Sequence, residues 1–462
     1  MKEGIIMKQS SALQLPFWKK IMYALGQFGW SLTSFAVGNL LVYFYLPPET
    51  GQVSFPPFFY QGAIIGALTI VGLVFALGRL FDAVTDPVIA GLSDRGKFKF
   101  GRRRTFLAIA ALPFAILSVL AFMPPVGESS PVNAIFVAVI VLLYYFFMTM
   151  YVTPFFALMS ELGHSANERL QLSTMISITW AFGFAFGSQI YSLQGVFEEA
   201  GNSPVMAFRI VVAIFAIVGF VFMLLPIIFI DESKYSEAHT SEEGIFEAVK
   251  SAFKNRNFLR FTLSDFAYWL SLTCISTGLI YYVTVLLGQP KDTASFLQLL
   301  MFGLSLVFYV PTNLIAKKTG KKKLLVIGFI AFLLTFGFTF MLGKMPMQLM
   351  TQGYILAILA AIPLAIFGIL PNAMVADIAE ADGIKTGNFK AGIFFGARTF
   401  MSKMGQSAAG ILFPSLLLLG RSVDNDLGIR LTAVAAFGFL IVGLILLLRY
   451  NEEEINETLS TK

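Results

Sequence analysis

The chain of 462 residues is 57% hydrophobic and only 13% charged, against roughly 45 to 50% and about 25% in soluble domains, so an ordinary soluble core is excluded and lipid is the implied solvent. Its net charge of +6, from 33 Lys and Arg against 27 Asp and Glu, is carried between apolar runs, which points to membrane topology rather than nucleic acid. The one cysteine, Cys274, lies inside an apolar run, which rules out an intrachain disulfide framework or a Cys-rich metal site.

The first residues, to Gln14, carry no apolar segment followed by a small-residue cleavage site, so the first span is expected to direct insertion itself. A hydrocarbon core needs about 20 apolar residues per helix, and twelve runs meet that need. In the first half they cover 21–46, 62–92, 104–123, 132–160, 170–194 and 206–230. In the second half they cover 258–287, 294–316, 323–342, 350–376, 390–419 and 428–449. The loop after span 2 holds six basic residues, Arg95, Lys97, Lys99, Arg102, Arg103 and Arg104, and the loop after span 8 holds five, Lys317, Lys318, Lys321, Lys322 and Lys323. Loops 47–60, 124–131 and 196–205 hold none. The even-numbered loops and both chain ends are therefore expected in the cytoplasm, with the chain in the plasma (inner) membrane.

Residues 231–257 form the long polar interruption at the midpoint. Within it, Ile245, Val249, Ala252 and Phe253 fall at helical spacing between Glu242 and Arg256, which reads as an amphipathic surface helix or a solvated linker helix. The expected organisation is thus a six-helix bundle over 1–230, a linker over 231–257, a second six-helix bundle over 258–450 and a tail over 451–462. The two basic, Gly-containing loops stand six spans apart, an echo that fits a parallel repeat of two halves. The fold class is all-α membrane, twelve helices in two bundles.

Ionisable groups at bilayer depth are functional candidates. Span 2 carries Arg79, Asp82, Thr85 and Asp86, and residues four apart share a helix face. Two carboxylates so close need a cation, a proton or a basic neighbour, and the oxygen-only chemistry suits a hard cation such as Na+, making Asp82 and Asp86 the metal candidates. A plainer alternative is that one of them neutralises Arg79, or that the pair lies at the cytoplasmic mouth beside Asp94 and Arg95. Span 11 supplies Lys403 among small residues, a counter-ion for those carboxylates, while Arg398 lies nearer the cytoplasmic end, where snorkelling accounts for it. Asp377, Glu380 and Asp382 close span 10 and read as acids of a cytoplasmic gate whose basic partners are Arg95 or Arg102. Asp265 and Arg209 have no assigned role. There is no phosphate-binding loop, zinc-protease motif or nucleophile elbow, so neither an enzyme nor a cofactor is expected.

The stretch Asp82-Ala-Val-Thr-Asp86-Pro87 followed by Gly91, Asp94, Arg95, Gly101 and Arg102 resembles the signature of the glycoside-pentoside-hexuronide:cation symporters, the melibiose-permease branch of the major facilitator superfamily. Met374 to Ile378, then Thr386, Gly387, Gly392 and Lys403, and the span 4 stretch from Pro154 to Leu158, are similar to further motifs of that family. The resemblance implies a cation site, for Na+ or H+, at Asp82, Thr85, Asp86 and Thr149, and carries the family's span 11 lysine to Lys403. Departures stand at Ser31, Val152 and Ile176, where the galactoside-binding members have charged groups, and at Phe156, where they have Trp. The implied activity is cation-coupled symport of a sugar or glycoside, held by Trp30, Ser31, Tyr151, Phe156, Trp180 and Lys403, with Tyr268 and Trp269 as further aromatic surfaces. An amphipathic solute such as a lysolipid is the alternative substrate, and a non-transporting scaffold or receptor the remote one. The expected partners are a small-molecule substrate and membrane lipid around a monomer.

Overall fold

The computed structural model describes residues 13–50, 55–96, 98–236, 252–387 and 391–460. In the first half α1 (Phe17–Tyr45) is followed by a hairpin of β1 (Ala63–Ile65) and β2 (Leu68–Thr69), then α2 (Ile70–Arg95), α3 (Arg102–Leu120), α4 (Pro131–Leu162), α5 (Ala166–Gly187), α6 (Ile190–Glu199), α7 (Pro204–Phe229) and α8 (Glu232–Tyr235). The second half holds α9 (Arg256–Tyr281), which runs on as a π turn, α10 (Lys291–Thr319), α11 (Lys321–Met341), α12 (Leu349–Thr386), α13 (Ala391–Leu417), α14 (Leu427–Leu448) and α15 (Glu452–Ser460). All but α6, α8 and α15 among these helices are long, which gives twelve long helices among the described residues. Eight are long and apolar enough to cross a membrane on length and composition alone. The other four, α1, α2, α5 and α13, carry polar groups within their spans, such as the buried Gln27, Ser31 and Asp82.

Local chemistry sets many of the boundaries. Ser130 and Ser203 accept from backbone amides of the first turns of α4 and α7, each with a proline at the helix start, where the missing N–H costs nothing. Asn255 starts α9 in the same manner, accepting from the amides of Asn257 and Phe258. Span 2 begins later than the apolar run 62–92 predicts: residues 63–69 form the hairpin, Gly66 has φ +59° in its turn, and Thr69 caps α2 by accepting from Gly72 N at 3.1 Å. The run 170–194 is broken at Ser188 and Gln189 into α5 and α6. Helix α12 continues ten residues past the apolar run 350–376, to Thr386, because its polar end is exposed on one side only.

The halves repeat. In the first, α1 packs on α5 and α7, α4 on α2 and α3, and α3 on α7; in the second, α9 packs on α13 and α14, α12 on α10 and α11, and α11 on α14. The basic loops repeat as well. Glu232 accepts from the amides of Arg102 (3.1 Å), Arg103 (2.9 Å) and Arg104 (3.1 Å) at the start of α3. Glu452 accepts from Lys321 (2.9 Å) and Lys322 (3.1 Å) at the start of α11. A carboxylate on a helix N-terminus satisfies orphan donors and meets the positive end of the dipole. Gly101 (φ +104°) and Gly320 (φ +90°) precede these helices in a conformation that suits glycine.

The halves meet through α2 with α13, α1 with α9, and α10 with α5 and α6. At the end opposite the basic loops, hydrogen bonds cross between them: Tyr281 donates to Leu46 O (2.6 Å) and Ser295 to Ser188 O (2.6 Å). Ion pairs cross there too, Lys291 with Glu198 (2.5 Å) and Arg421 with Glu49 (2.8 Å). Residues 237–251, most of the expected amphipathic helix, lie outside the described residues; Ala252 is buried and Phe253 meets Phe258 at 5.8 Å.

Candidate functional site

Asp82 and Asp86 lie one helical turn apart on α2, three and two turns inside the end at Arg95. On α4 the same spacing recurs as Thr149 and Thr153, and the two ladders face each other. Thr149 donates to Asp82 Oδ1, and Thr153 donates to Asp86 Oδ1 at 2.9 Å. Thr153 was not singled out in the sequence, although the pair of threonines at i, i+4 opposite a pair of aspartates at i, i+4 is a readable signal. Thr85 turns its hydroxyl to its own helix, donating to Phe81 O (2.9 Å), and lies 3.4 Å from the Thr149 hydroxyl. Pro87 follows Asp86 directly and withholds the helical hydrogen bond from the carbonyl of Ala83.

Lys403 arrives from the other half. Its Nζ stands 2.9 Å from Asp82 Oδ1 and 2.5 Å from Asp86 Oδ2. Close approach of α13 to α2 makes this reach available: Gly410 lies against Phe75, and Ser407 donates to Ala76 O at 3.1 Å. Arg79 stands 3.9 Å from Asp82 Oδ2 and stacks over Tyr145 at 5.0 Å. Asp82 is fully buried, and its Oδ2 has no hydrogen-bond partner among the described residues, an arrangement that is costly without a cation close by. Asp94 is engaged elsewhere, by Arg103. Among the described residues no group of three or more His, Cys, Asp or Glu forms a metal site; the pair holds two carboxylates, with hydroxyls beside them.

The expected substrate residues separate. Trp30 on α1 meets Phe156 on α4 edge to face at 6.3 Å, Phe156 is exposed, and the Trp30 indole N–H has no partner among the described residues. Trp180 meets Phe184 at 4.5 Å with the rings tilted by 36°, and both reach Phe302 of the second half. Ser31 and Tyr151 are instead sealed in helix contacts: Ser31 donates to Phe28 O (3.1 Å) against Gly183, and Tyr151 donates to Met223 O (2.9 Å). Tyr268 is buried in a stack on Phe367.

At the basic end the described ion pairs stay within each half. Arg102 meets Glu161 at 2.8 Å, and Asp377 meets Lys321. Glu380 is exposed near the end of α12, Asp382 accepts from Asn255 (2.9 Å), and the side chain of Arg95 lies outside the described residues. Outside the spans, burial raises the carboxyl of Glu232 above the ordinary range despite its amide donors. Arg398 does not snorkel. It forms a two-toothed pair with Asp265, 2.9 and 3.2 Å, and donates to Asn372 at 2.6 Å. Arg209, also unassigned, donates to Phe122 O at 2.8 Å.

The chain is similar to an uncharacterized symporter of Synechocystis, 24% identical over 89% of this chain and 87% of that protein. It is also similar to an isoprimeverose transporter of Lactiplantibacillus pentosus, 23% identical over 89% of this chain and 82% of that protein. Its fold matches a crystal structure of the nucleoside transporter NupG, with a TM-score of 0.66 and 14% identity over 94% of this chain and all of that one. The family model for MFS/sugar transport proteins matches residues 22–451, and with these relatives the chain belongs to that family, in its glycoside-pentoside-hexuronide:cation symporter group.

Proposed function

We propose that the chain is a secondary active transporter that couples Na+ or H+ to the movement of a sugar or glycoside by alternating access. One observation carries the coupling: Lys403 of the second half bridges Asp82 and Asp86 of the first, at 2.9 and 2.5 Å. A coupling cation and the Lys403 ammonium compete for the same oxygens. When the cation binds, Lys403 is released, and the link between α13 and α2 loosens. Ion occupancy is thereby tied to the relative position of the halves, which a ligand shifts only through such a difference in contacts. Asp82 Oδ2, Thr85 and Thr149 supply the remaining oxygens for Na+, whereas a proton needs one carboxylate alone.

The basic loops belong in the cytoplasm by the positive-inside rule, in the inner membrane of the cell. On that orientation the cross-half bonds seal the outer end and the state is inward-facing. The work is translocation rather than catalysis, and the isoprimeverose named for a relative supports a saccharide cargo. The aromatic wall of Trp30 and Phe156 favours, as a second reading, an amphipathic solute such as a lysolipid. Reconstitution in proteoliposomes tests the proposal. Sugar uptake driven by a Na+ or H+ gradient is expected in the wild type and is lost in Asp86→Asn, which still folds; gradient-driven uptake unchanged in both Asp82→Asn and Asp86→Asn overturns it.

A further inference from the structure

Resting on the saccharide reading above, we propose that Asp265, Arg398 and Asn372 form a substrate anchor in the second half, one that takes hydroxyl groups of an uncharged saccharide. The three come from α9, α13 and α12. Asp265 is buried and holds the guanidinium at 2.9 and 3.2 Å, while Asn372 accepts from it at 2.6 Å and is itself exposed. A guanidinium has five N–H donors, and these contacts claim three of them. The rest stay available on a group whose position is fixed from two sides. Fixing lowers the entropy cost of a new hydrogen bond.

Position also favours substrate. The face of α13 carrying Lys403, Ser407 and Gly410 is spent on α2, whereas Arg398 reaches the α9 and α12 side. The contacts between halves run through α2 with α13, α1 with α9, and α10 with α5 and α6, which leaves α4 and α12 to bound the space between them. Arg398 precedes Lys403 by five residues, about 7.5 Å along a helix axis, so the anchor lies within about one and a half turns of the cation site. Trp269, one turn beyond Asp265, adds a buried indole N–H without a partner among the described residues. On the first half, Ser31 and Tyr151 are sealed, and Trp30 and Phe156 form an aromatic wall.

Charge decides the class of cargo. Lys403 and Arg79 stand on Asp82 and Asp86, Arg398 on Asp265, and Lys20 on Glu168 at 3.4 Å. As they stand, each of these cations is matched by a carboxylate, so a uronate or phosphate ester meets no unpaired partner. Hydroxyls, which donate and accept, fit a paired guanidinium and an exposed amide.

Binding of methyl β-xyloside, methyl β-galactoside, glucuronate and lysophosphatidylcholine to the purified full chain, read by thermal shift and equilibrium dialysis, tests this. The wild type is expected to bind a neutral glycoside, and Arg398→Gln to weaken it by about tenfold to a hundredfold while Na+ or H+ binding is retained. The exchanged pair Asp265→Arg with Arg398→Asp separates anchor from scaffold. It restores the ion pair and folding, and as an anchor mutant it stays weak for the glycoside. Full recovery of binding in the exchanged pair, or binding by Arg398→Gln within twofold of wild type, overturns the anchor. Binding of glucuronate alone overturns the uncharged class. Binding of lysophosphatidylcholine alone, or of none of the four, defeats the saccharide reading itself.

Discussion

Lys403 on α13 and Asp86 on α2, 317 residues apart in sequence, meet at 2.5 Å across the interface of the two halves. A buried pair is costly to break by removing one partner, about 3 to 5 kcal/mol, because the other charge is left behind. Lys403→Gln is therefore expected to lower the melting temperature in cation-free buffer and to make the protein more responsive to Na+, since the ion no longer competes with an ammonium. Melting curves with and without Na+ check this. A variant as stable as wild type in choline buffer, with no larger Na+ response, would show that the ammonium is not the competing cation.

The two helix-capping glutamates give a second prediction. Gly101 and Gly320 share a positive φ, but a Cβ on Gly101 would strike the Glu232 carboxylate, whereas on Gly320 the nearest Glu452 atom lies at 3.1 Å. Backbone strain of this kind costs of order 1 to 3 kcal/mol. Gly101→Ala is expected to destabilise more than Gly320→Ala, by about 1 kcal/mol or more. Thermal unfolding of both variants in the same detergent measures the difference; equal losses would mean that the Glu232 contact relaxes freely.

The twelve spans were legible because each apolar run is long enough to cross a bilayer, and the repeat because both basic loops carry a glycine. What the sequence hid is tertiary. The segment 63–69 is as apolar as a span and becomes a hairpin through Gly66 and the Thr69 cap. Ser188 ends α5 inside a continuous apolar run. The echo was also stronger than the loops alone suggested, since Ser31-Leu32-Thr33 with Gly38 recurs as Ser271-Leu272-Thr273 with Gly278. Within the site, the Asp82 and Asp86 pair was readable from type and spacing, whereas Thr149 entered only through the family resemblance. Arg398 was misread because snorkelling and pairing look identical until Asp265, 133 residues away, is placed beside it.

The tail helix α15 is expected to respond to pH in a defined sense. Hydrogen bonds from Lys385 (2.6 Å) and Asn257 (3.0 Å) hold the Glu454 carboxyl below its ordinary value of 4.5. A depressed carboxyl contributes stability that is present above the unfolded value and lost as pH falls through the folded one. Docking of α15 on α12 is thus expected to weaken on acidification below about pH 4.5, and the Lys385→Ala variant to lose much of that dependence. Hydrogen exchange of 452–460 across pH, corrected for intrinsic rates, reads it out. Protection in the wild type that does not change with pH would remove Glu454 from the latch.

The last prediction concerns the basic end. Here Arg102 is held by Glu161 at 2.8 Å and by Glu232 at 3.8 Å, while Asp377 is held by Lys321, all within their own halves. Apart from Lys403 with Asp82 and Asp86, the described pairs that cross between halves, Lys291 with Glu198 and Arg421 with Glu49, lie at the other end. Alternating access requires the reverse arrangement in the opposite state, so closure of the basic end is expected to bring Arg102 toward Asp377 and Glu380. Each exposed pair contributes only about 0 to 1 kcal/mol, yet that shifts a balanced two-state equilibrium several-fold. Weakening the far end by Lys291→Ala together with Arg421→Ala therefore populates the closed basic end. The variant pair Arg102→Cys and Glu380→Cys is expected to cross-link little in the otherwise wild-type chain and several-fold faster in that background. Both sites labelled by thiol reagents, yet never cross-linked in either background or with any gradient, would show that the loop makes no gating contact there.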